Sequence, residues 1–249
     1  DMGESFGVYG LGADAEILRC VTSANVACGW HGGDPHVMRQ TIAAAKANGV
    51  AVGAHPSYPD LLGFGRRVMQ LTRQEARDYL LYQIGALRAF AEAQGLRLQH
   101  VKPHGALYNA AVKDREVSLG IAEAVKEAGG DLILVTLPEG ETLRAGRQLG
   151  LRVAREAFGD RAYNEDGTLV SRKVAGSLIT DPDRVAQRVL DLVAGKLTAI
   201  TGKEIRVEAD TVCLHGDTPG APQIARRVRE RLEAAGIRLA PMGEFVGRG

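Results

Sequence analysis

The segment His100-Val101-Lys102-Pro103-His104-Gly105-Ala106-Leu107-Tyr108-Asn109 places an amine and an imidazole two residues apart at the end of a short apolar run. Positions i and i+2 of a strand face the same side, so Lys102 and His104 share one face, where Pro103 and Gly105 bring the strand to its end. Three other apolar runs finish alike: Cys28-Gly29-Trp30-His31-Gly32-Gly33-Asp34, Gly53-Ala54-His55-Pro56 and Cys213-Leu214-His215-Gly216-Asp217. Four histidines, each at the C-terminal end of a separate apolar run beside Gly or Pro, form a constellation and not a composition effect. Imidazoles so placed can move a proton near neutral pH, or hold a divalent ion together with carboxylates. They can equally bind a substrate without metal.

The carboxylates divide by the duties that compete for them. Asp34 precedes Pro35 and a helical pattern, which makes it an N-cap. Asp1 and Glu4 have no such structural duty, and either is a candidate general base. Asp217 follows His215 by two and either orients an imidazole or caps the helix near Pro219. An ammonium is costly to bury alone, so Lys102 must be paired or must bind an anion. Arg66-Arg67 offers a clamp for a carboxylate or phosphate, or a solvated loop pair. Cys28 and Cys213 are most simply small buried residues.

The elements that must position these groups alternate. Strand patterns at 21–28, 50–54, 100–102, 131–137, 153–158 and 211–214 are separated by helical patterns. These begin at Asp34-Pro35, at the Thr72/Glu75 capping box, at Val117, at Glu139, at Asp181-Pro182 and before Ile224. Asp14 to Leu18 suits a short helix. Residues 57–71 are too long and punctuated for a minimal connection, and such loops commonly serve function. Residues 197–209 read as an inserted hairpin around Gly202-Lys203. Apolar strands alternating with helices imply a parallel sheet with helical crossovers, and a (β/α) barrel also puts the histidines together, at the C-terminal strand ends. An open doubly wound sheet is the alternative, but no GxGxxG follows a strand.

The 249 residues, 45% hydrophobic, suffice for one large α/β domain, and no linker divides them. Thirty-one basic against 30 acidic residues, with aromatics at 5%, speak against nucleic acid as a partner. No apolar run reaches the roughly 20 residues of a membrane span. Three cysteines without CxxC spacing fit neither a disulfide framework nor a zinc knuckle, and a reduced, cytoplasmic setting is expected. There is no GxxxxGK[ST] to cradle a nucleotide and no HExxH or HxH pair.

Longer stretches carry a resemblance. Asp1-Met2-Gly3-Glu4-Ser5-Phe6-Gly7, Ser23-Ala24-Asn25-Val26-Ala27-Cys28-Gly29, His55-Pro56-Ser57-Tyr58-Pro59-Asp60, Phe64-Gly65-Arg66, Tyr82-Gln83-Ile84-Gly85-Ala86-Leu87, Val101 to Asn109 and Val212 to Asp217 resemble, in order and over essentially the whole chain, the LamB/YcsF family of 5-oxoprolinase A subunits. The family pattern also has a strand ending Asp-Leu-Asn-Ala ahead of Asp1, so a first strand is expected to be missing here. The resemblance implies a TIM-like (β/α) barrel, seven-stranded and similar to polysaccharide deacetylase and glycoside-hydrolase barrels. It implies a cytoplasmic enzyme component that opens the lactam of 5-oxoproline to L-glutamate with ATP and Mg as co-substrate, together with subunits B and C, and with a homo-oligomer as a further option. The resulting site has Asp1, Glu4, His31, His55, Lys102, His104 and His215 as catalytic residues. Asn25, Arg66, Tyr108, Asn109 and Asp217 are assigned to substrate, and the metal is left unknown. Two rivals remain, a stand-alone metal-dependent deacetylase or amidohydrolase and a non-catalytic component that delivers substrate.

Overall fold

A computed structural model describes residues 1–247. Six strands form one parallel sheet in chain order: β1 (Ser23–Ala27), β2 (Ala51–His55), β3 (Leu98–Val101), β4 (Ile133–Thr136), β5 (Arg152–Phe158) and, after a separate hairpin, β8 (Thr211–Cys213). That hairpin pairs β6 (Lys196–Thr198) with β7 (Glu204–Arg206), antiparallel and outside the sheet, where the sequence suggested an insertion. The crossovers are α2 (Pro35–Ala47), α3 (Arg73–Glu92), α4 (Gly105–Ala111) with α5 (Arg115–Ala128), α6 (Glu141–Gln148) and α7 (Pro182–Val193), and α8 (Ala221–Ala234) follows β8. A short α1 (Asp14–Ile17) precedes β1. No helix among the described residues is long and apolar enough to cross a membrane.

Among the described residues the parallel sheet has six strands, not the expected seven. At the outer edge of β1, Met2 alone makes a parallel bridge to Val26, donating its N–H to the Asn25 carbonyl at 2.9 Å. The sheet nevertheless curls: Asn25 on β1 and Cys213 on β8 both reach the Asp1 carboxylate, at 2.9 and 3.7 Å. A largely apolar cavity of about 250 Å³ lies between those two outer strands.

Local chemistry explains the elements. All of β4 is buried, as a strand covered on both faces must be. On α3, Ala76, Leu80, Ile84, Leu87 and Ala91 form an apolar stripe at helical spacing. The capping box starts that helix: Thr72 accepts from the Glu75 N–H and Glu75 from the Thr72 N–H. Asp34 caps α2, accepting from the His36 and Val37 amides, and its other oxygen accepts from Gly7. Within the α3 stripe the buried Gln83 accepts from the Ser57 amide and donates to the Ser57 carbonyl, both at 2.9 Å, which anchors the start of the 57–71 loop. Arg67 closes the same loop on Asp60, leaving Arg66 as the arginine that faces the cleft.

Candidate active site

Every sheet strand except β4 sends a polar side chain into one cleft or its floor from its C-terminal end. From β2, His55 donates Nδ1–H to the Lys102 carbonyl at 2.7 Å and turns Nε2 toward Asp1 Oδ2, 3.3 Å away. β3 ends at Val101, one residue before Lys102, so Lys102 and His104 lie beyond the strand and diverge. His104 is the N-cap residue of α4, donates Nε2–H to the Phe64 carbonyl at 2.9 Å, and brings Nδ1 to 2.9 Å from His55 Nε2. His31, after β1, stacks on His104 with ring centroids 3.7 Å apart and meets Glu4 Oε1 through Nε2 at 3.2 Å. Glycine at 65 is what allows this stack, because a Cβ there would lie 2.7 Å from His104 Cδ2, and its φ of +62° suits glycine.

Lys102 is buried and fully engaged. Its Nζ lies 2.8 Å from Asp1 Oδ1, 3.0 Å from Glu156 Oε1 and 3.0 Å from Cys213 Sγ. Burial disfavours the ammonium, but the Cys213 sulfur and the Glu156 carboxylate outweigh it and hold Lys102 above its ordinary value. The geometry therefore makes Lys102 a brace between two carboxylates, with none of its three N–H groups left for a substrate anion. On the far side of Asp1, His215 brings Nε2 to 3.9 Å from Asp1 Oδ2 and stacks on Phe158. Its Nδ1 is held by Asp160 at 3.0 Å. Asp217, which the sequence offered for orienting an imidazole or capping a helix, does neither. It pairs with Arg66 at 2.6 Å, near Arg172, and Gly220 is the N-cap residue of α8.

Burial sets the protonation of the group. His55 lies well below its usual value, from burial first and then from the Lys102 charge. His104 is likewise lowered, by burial and then by its neighbours His31 and His55. Glu4 moves the other way from what burial dictates, because the hydrogen bond from His31 keeps its carboxylate ionised. At neutral pH a buried, ionised Glu4 thus lies behind two neutral imidazoles of the floor, a set able to accept protons.

The cleft encloses about 850 Å³, with Asp1, His55, Lys102, His104 and His215 at its floor and Tyr108 and Phe158 among its walls. Arg66, Arg161, Arg172, Lys113 and Lys173 line its rim. Arg161 is pushed down to about 10, by burial and then by the nearby Arg172 charge, which marks the rim as electropositive. Tyr108 and Asn109 are on α4, a helix that the sequence pattern does not announce. Tyr108 is buried against Phe158, whereas Asn109 is exposed and donates to the Gly105 carbonyl at 2.9 Å. Asn25 lies below the floor, donating to Asp1 Oδ1 at 2.9 Å and accepting from His100 Nε2–H at 2.8 Å. Sequence reasoning missed Glu156, Asp160, Arg161 and Arg172. Glu156 carried a signal: it shares one face of β5 with Ala154 and Phe158, an inward face on which a charge needs a partner.

His100 yields a pH prediction. Burial, then the Lys102 charge, lowers it to about 3, and the site exists because Gly53 has no Cβ to strike the ring. A histidine held neutral when folded but free to protonate when unfolded stabilises the fold above its unfolded value of about 6.5, and that stability is lost as pH falls toward 3. His100 alone should remove about 2 kcal/mol between pH 7.5 and pH 5. Urea unfolding at the two pH values measures this loss. In His100→Gln the loss should shrink by that amount, and an unchanged difference would refute the assignment.

Among the described residues, two groups of side chains bring metal-ligating atoms within 4.8 Å of one another: Glu4, His31, His55 and His104, and Asp1, Cys213 and His215. The sequence profile of the LamB/YcsF family matches residues 1–247. A protein of Pyrococcus furiosus, named as the A subunit of 5-oxoprolinase, is 55% identical over 247 residues, covering 99% of this chain and 97% of the relative. A protein of the same name from Syntrophobacter fumaroxidans is 53% identical over 244 residues, covering 98% and 96%. The crystal structure of a lactam utilization protein from Thermus thermophilus superimposes with a TM-score of 0.91 at 51% identity, covering 96% of each chain.

Proposed function

The chain belongs to the LamB/YcsF family, and from that premise we propose that it is the A subunit of an ATP-dependent 5-oxoprolinase. The reaction adds water across the lactam C–N bond of 5-oxoproline to give L-glutamate, coupled to conversion of ATP to ADP and phosphate. The observation that carries the reading is full-length identity above half to relatives named as 5-oxoprolinase A subunits. The cleft supports it chemically. Substrate and phosphorylated substrate are anions, and the rim offers Arg161, Arg172 and Arg66 to their oxygens.

A five-membered lactam is a poor electrophile, and phosphorylating its oxygen makes the ring carbon easier for water to attack. The floor then supplies what remains. Glu4 and the bare nitrogens of His55 and His104 take a proton from the attacking water, and the same group returns one to the departing ring nitrogen. Ring opening leaves an acyl phosphate, and a second water, deprotonated by the same group, displaces its phosphate to give L-glutamate. Asp1, gripped by Lys102 and Asn25, fixes the imidazoles around it. Lys102 acts as a positioning residue in this scheme, and contact with the substrate's oxygens falls to the rim arginines.

The relatives' name, which makes them one lettered component of an enzyme, fits a chain that works with others, here subunits B and C. Two loops at the strand ends expose apolar side chains: Val8 and Tyr9 in one, Leu62 and Val68 in the other, with Leu62 96% exposed. Exposure of this kind is what a partner chain covers. The test is glutamate release from 5-oxoproline with ATP and Mg, using this chain alone and mixed with subunits B and C. Release only in the full mixture is expected, together with weaker assembly of Leu62→Asp. Glutamate release by the chain alone without ATP would overturn the reading in favour of a stand-alone amidohydrolase.

A further inference from the structure

At the cleft floor two imidazole nitrogens face each other with no hydrogen to share. His55 Nδ1 and His104 Nε2 each meet a backbone carbonyl, at 2.7 and 2.9 Å. A carbonyl only accepts, so each of these nitrogens carries its ring's hydrogen. In neutral rings the opposite nitrogens, His55 Nε2 and His104 Nδ1, are then both bare, and they stand 2.9 Å apart. Two carboxylate oxygens join them: Asp1 Oδ2 is 3.3 Å from His55 Nε2, and Glu4 Oε1 is 3.7 Å from His104 Nδ1. Four acceptors thus stand in a row, each close to the next, and the hydrogen that His31 Nε2 can offer goes to Glu4. Such a group repels itself unless a cation stands among its lone pairs.

Surroundings decide what that cation is. Four donors at zinc-ligand bond lengths lie about 3.3 Å from one another; along the row Asp1, His55, His104, Glu4 the neighbouring separations are 3.3, 2.9 and 3.7 Å, and a bound ion would draw the two outer carboxylates inward. A proton would relieve one of these contacts and leave the others. We propose that Asp1 Oδ2, Glu4 Oε1, His55 Nε2 and His104 Nδ1 bind a divalent metal ion of zinc-like preference. Two carboxylates neutralise its charge, and two imidazoles favour a transition metal over Mg. Each ligand is held from behind, as metal ligands require. The imidazoles rest on the Lys102 and Phe64 carbonyls, Glu4 on His31, and the second oxygen of Asp1 on Lys102 and Asn25. The site is independent of the lactam reading. If both hold, the nitrogens of His55 and His104 serve as ligands in place of bases, and the ion would make the attacking water acidic enough to lose its proton.

The test uses the purified full chain without partners or lactam, so its failure and that of the 5-oxoprolinase reading are separate results. Chelator-stripped protein is dialysed against ZnCl2 or CoCl2, and bound metal is counted by mass spectrometry. One ion per chain is expected, with the intense visible bands of four-coordinate cobalt, and MgCl2 should not compete. Glu4→Gln and His104→Gln should each weaken Zn affinity by more than about 100-fold, and His31→Ala by about 10-fold. His215→Ala and Cys213→Ser, which disable the other donor group, should leave it within about two-fold. Circular dichroism confirms that each variant is folded, and Glu4→Gln, nearly isosteric, serves should the histidine variant unfold. Substoichiometric metal, unchanged affinity in folded Glu4→Gln, or nitrogen-15 spectra showing an imidazolium at His55 or His104 in metal-free protein would each overturn the proposal.

Discussion

Glutamate release by the assembled enzyme should fall by about 10²- to 10⁴-fold when His104 is replaced with alanine, the range expected for loss of a group that handles the reacting proton. His104 joins one side of the floor together: it faces His55, stacks on His31, lies 3.7 Å from Glu4 and holds the Phe64 carbonyl. A purely structural role predicts something different. Truncation would leave the Phe64 carbonyl unsatisfied and open a small cavity, at a cost of about 1–3 kcal/mol in stability with turnover of the folded fraction intact. The two are separated by measuring kcat and KM alongside urea unfolding. A fall in kcat with KM little changed places the loss in the chemical step. Wild-type kcat in a folded His104→Ala chain would remove the floor from the reaction and favour a protein that only delivers substrate.

Lys102→Met should be the most destabilising single change at the site, by about 3–5 kcal/mol. The side chain keeps its stem and loses its charged tip, so Asp1 and Glu156 remain buried with no cation between them. The companion variant makes the argument specific. In Lys102→Met/Glu156→Gln one of the stranded charges is gone, so the double variant should be more stable than Lys102→Met alone, and the double-mutant cycle should show a coupling well above 1 kcal/mol. Additive effects in urea unfolding would mean that the 3.0 Å contact contributes nothing and that Lys102 acts through packing alone.

Much of this arrangement is legible because strand ends announce themselves. His31, His55, His104 and His215 each follow an apolar run closed by Gly or Pro, and a parallel sheet turns that pattern into a common mouth. Helix starts are legible for the same local reason, since Asp34, Thr72 and Asp181 all cap. Pairing between distant segments is not. Asp160 rather than Asp217 holds His215 because β5 and β8 are neighbours, a fact of sheet order that spacing along the chain does not carry. The orientation of Lys102 fails for a related reason. Pro103 puts the expected strand end after Lys102, whereas β3 stops at Val101, and the alternation rule no longer governs where Lys102 and His104 point. Helix α4 is hidden because Gly105 and the polar Asn109 read as loop, although Ala106, Leu107 and Ala111 bury one face of it.

The order of strands has a kinetic meaning. From β1 to β5 each strand pairs with the one just before it, so the sheet can grow by successive local additions during refolding or synthesis. Asp1 belongs to a different timescale. Its contacts with Lys102 and Cys213 join residues 101 and 212 positions apart. Closing so long a loop costs little more than closing a moderate one, yet it must wait for β8 to arrive. Helical signal therefore returns before the acid, amine and thiol meet. A refolding chain passes through a stage with its crossovers built and its seam unclosed, in which it has a fold but no chemistry.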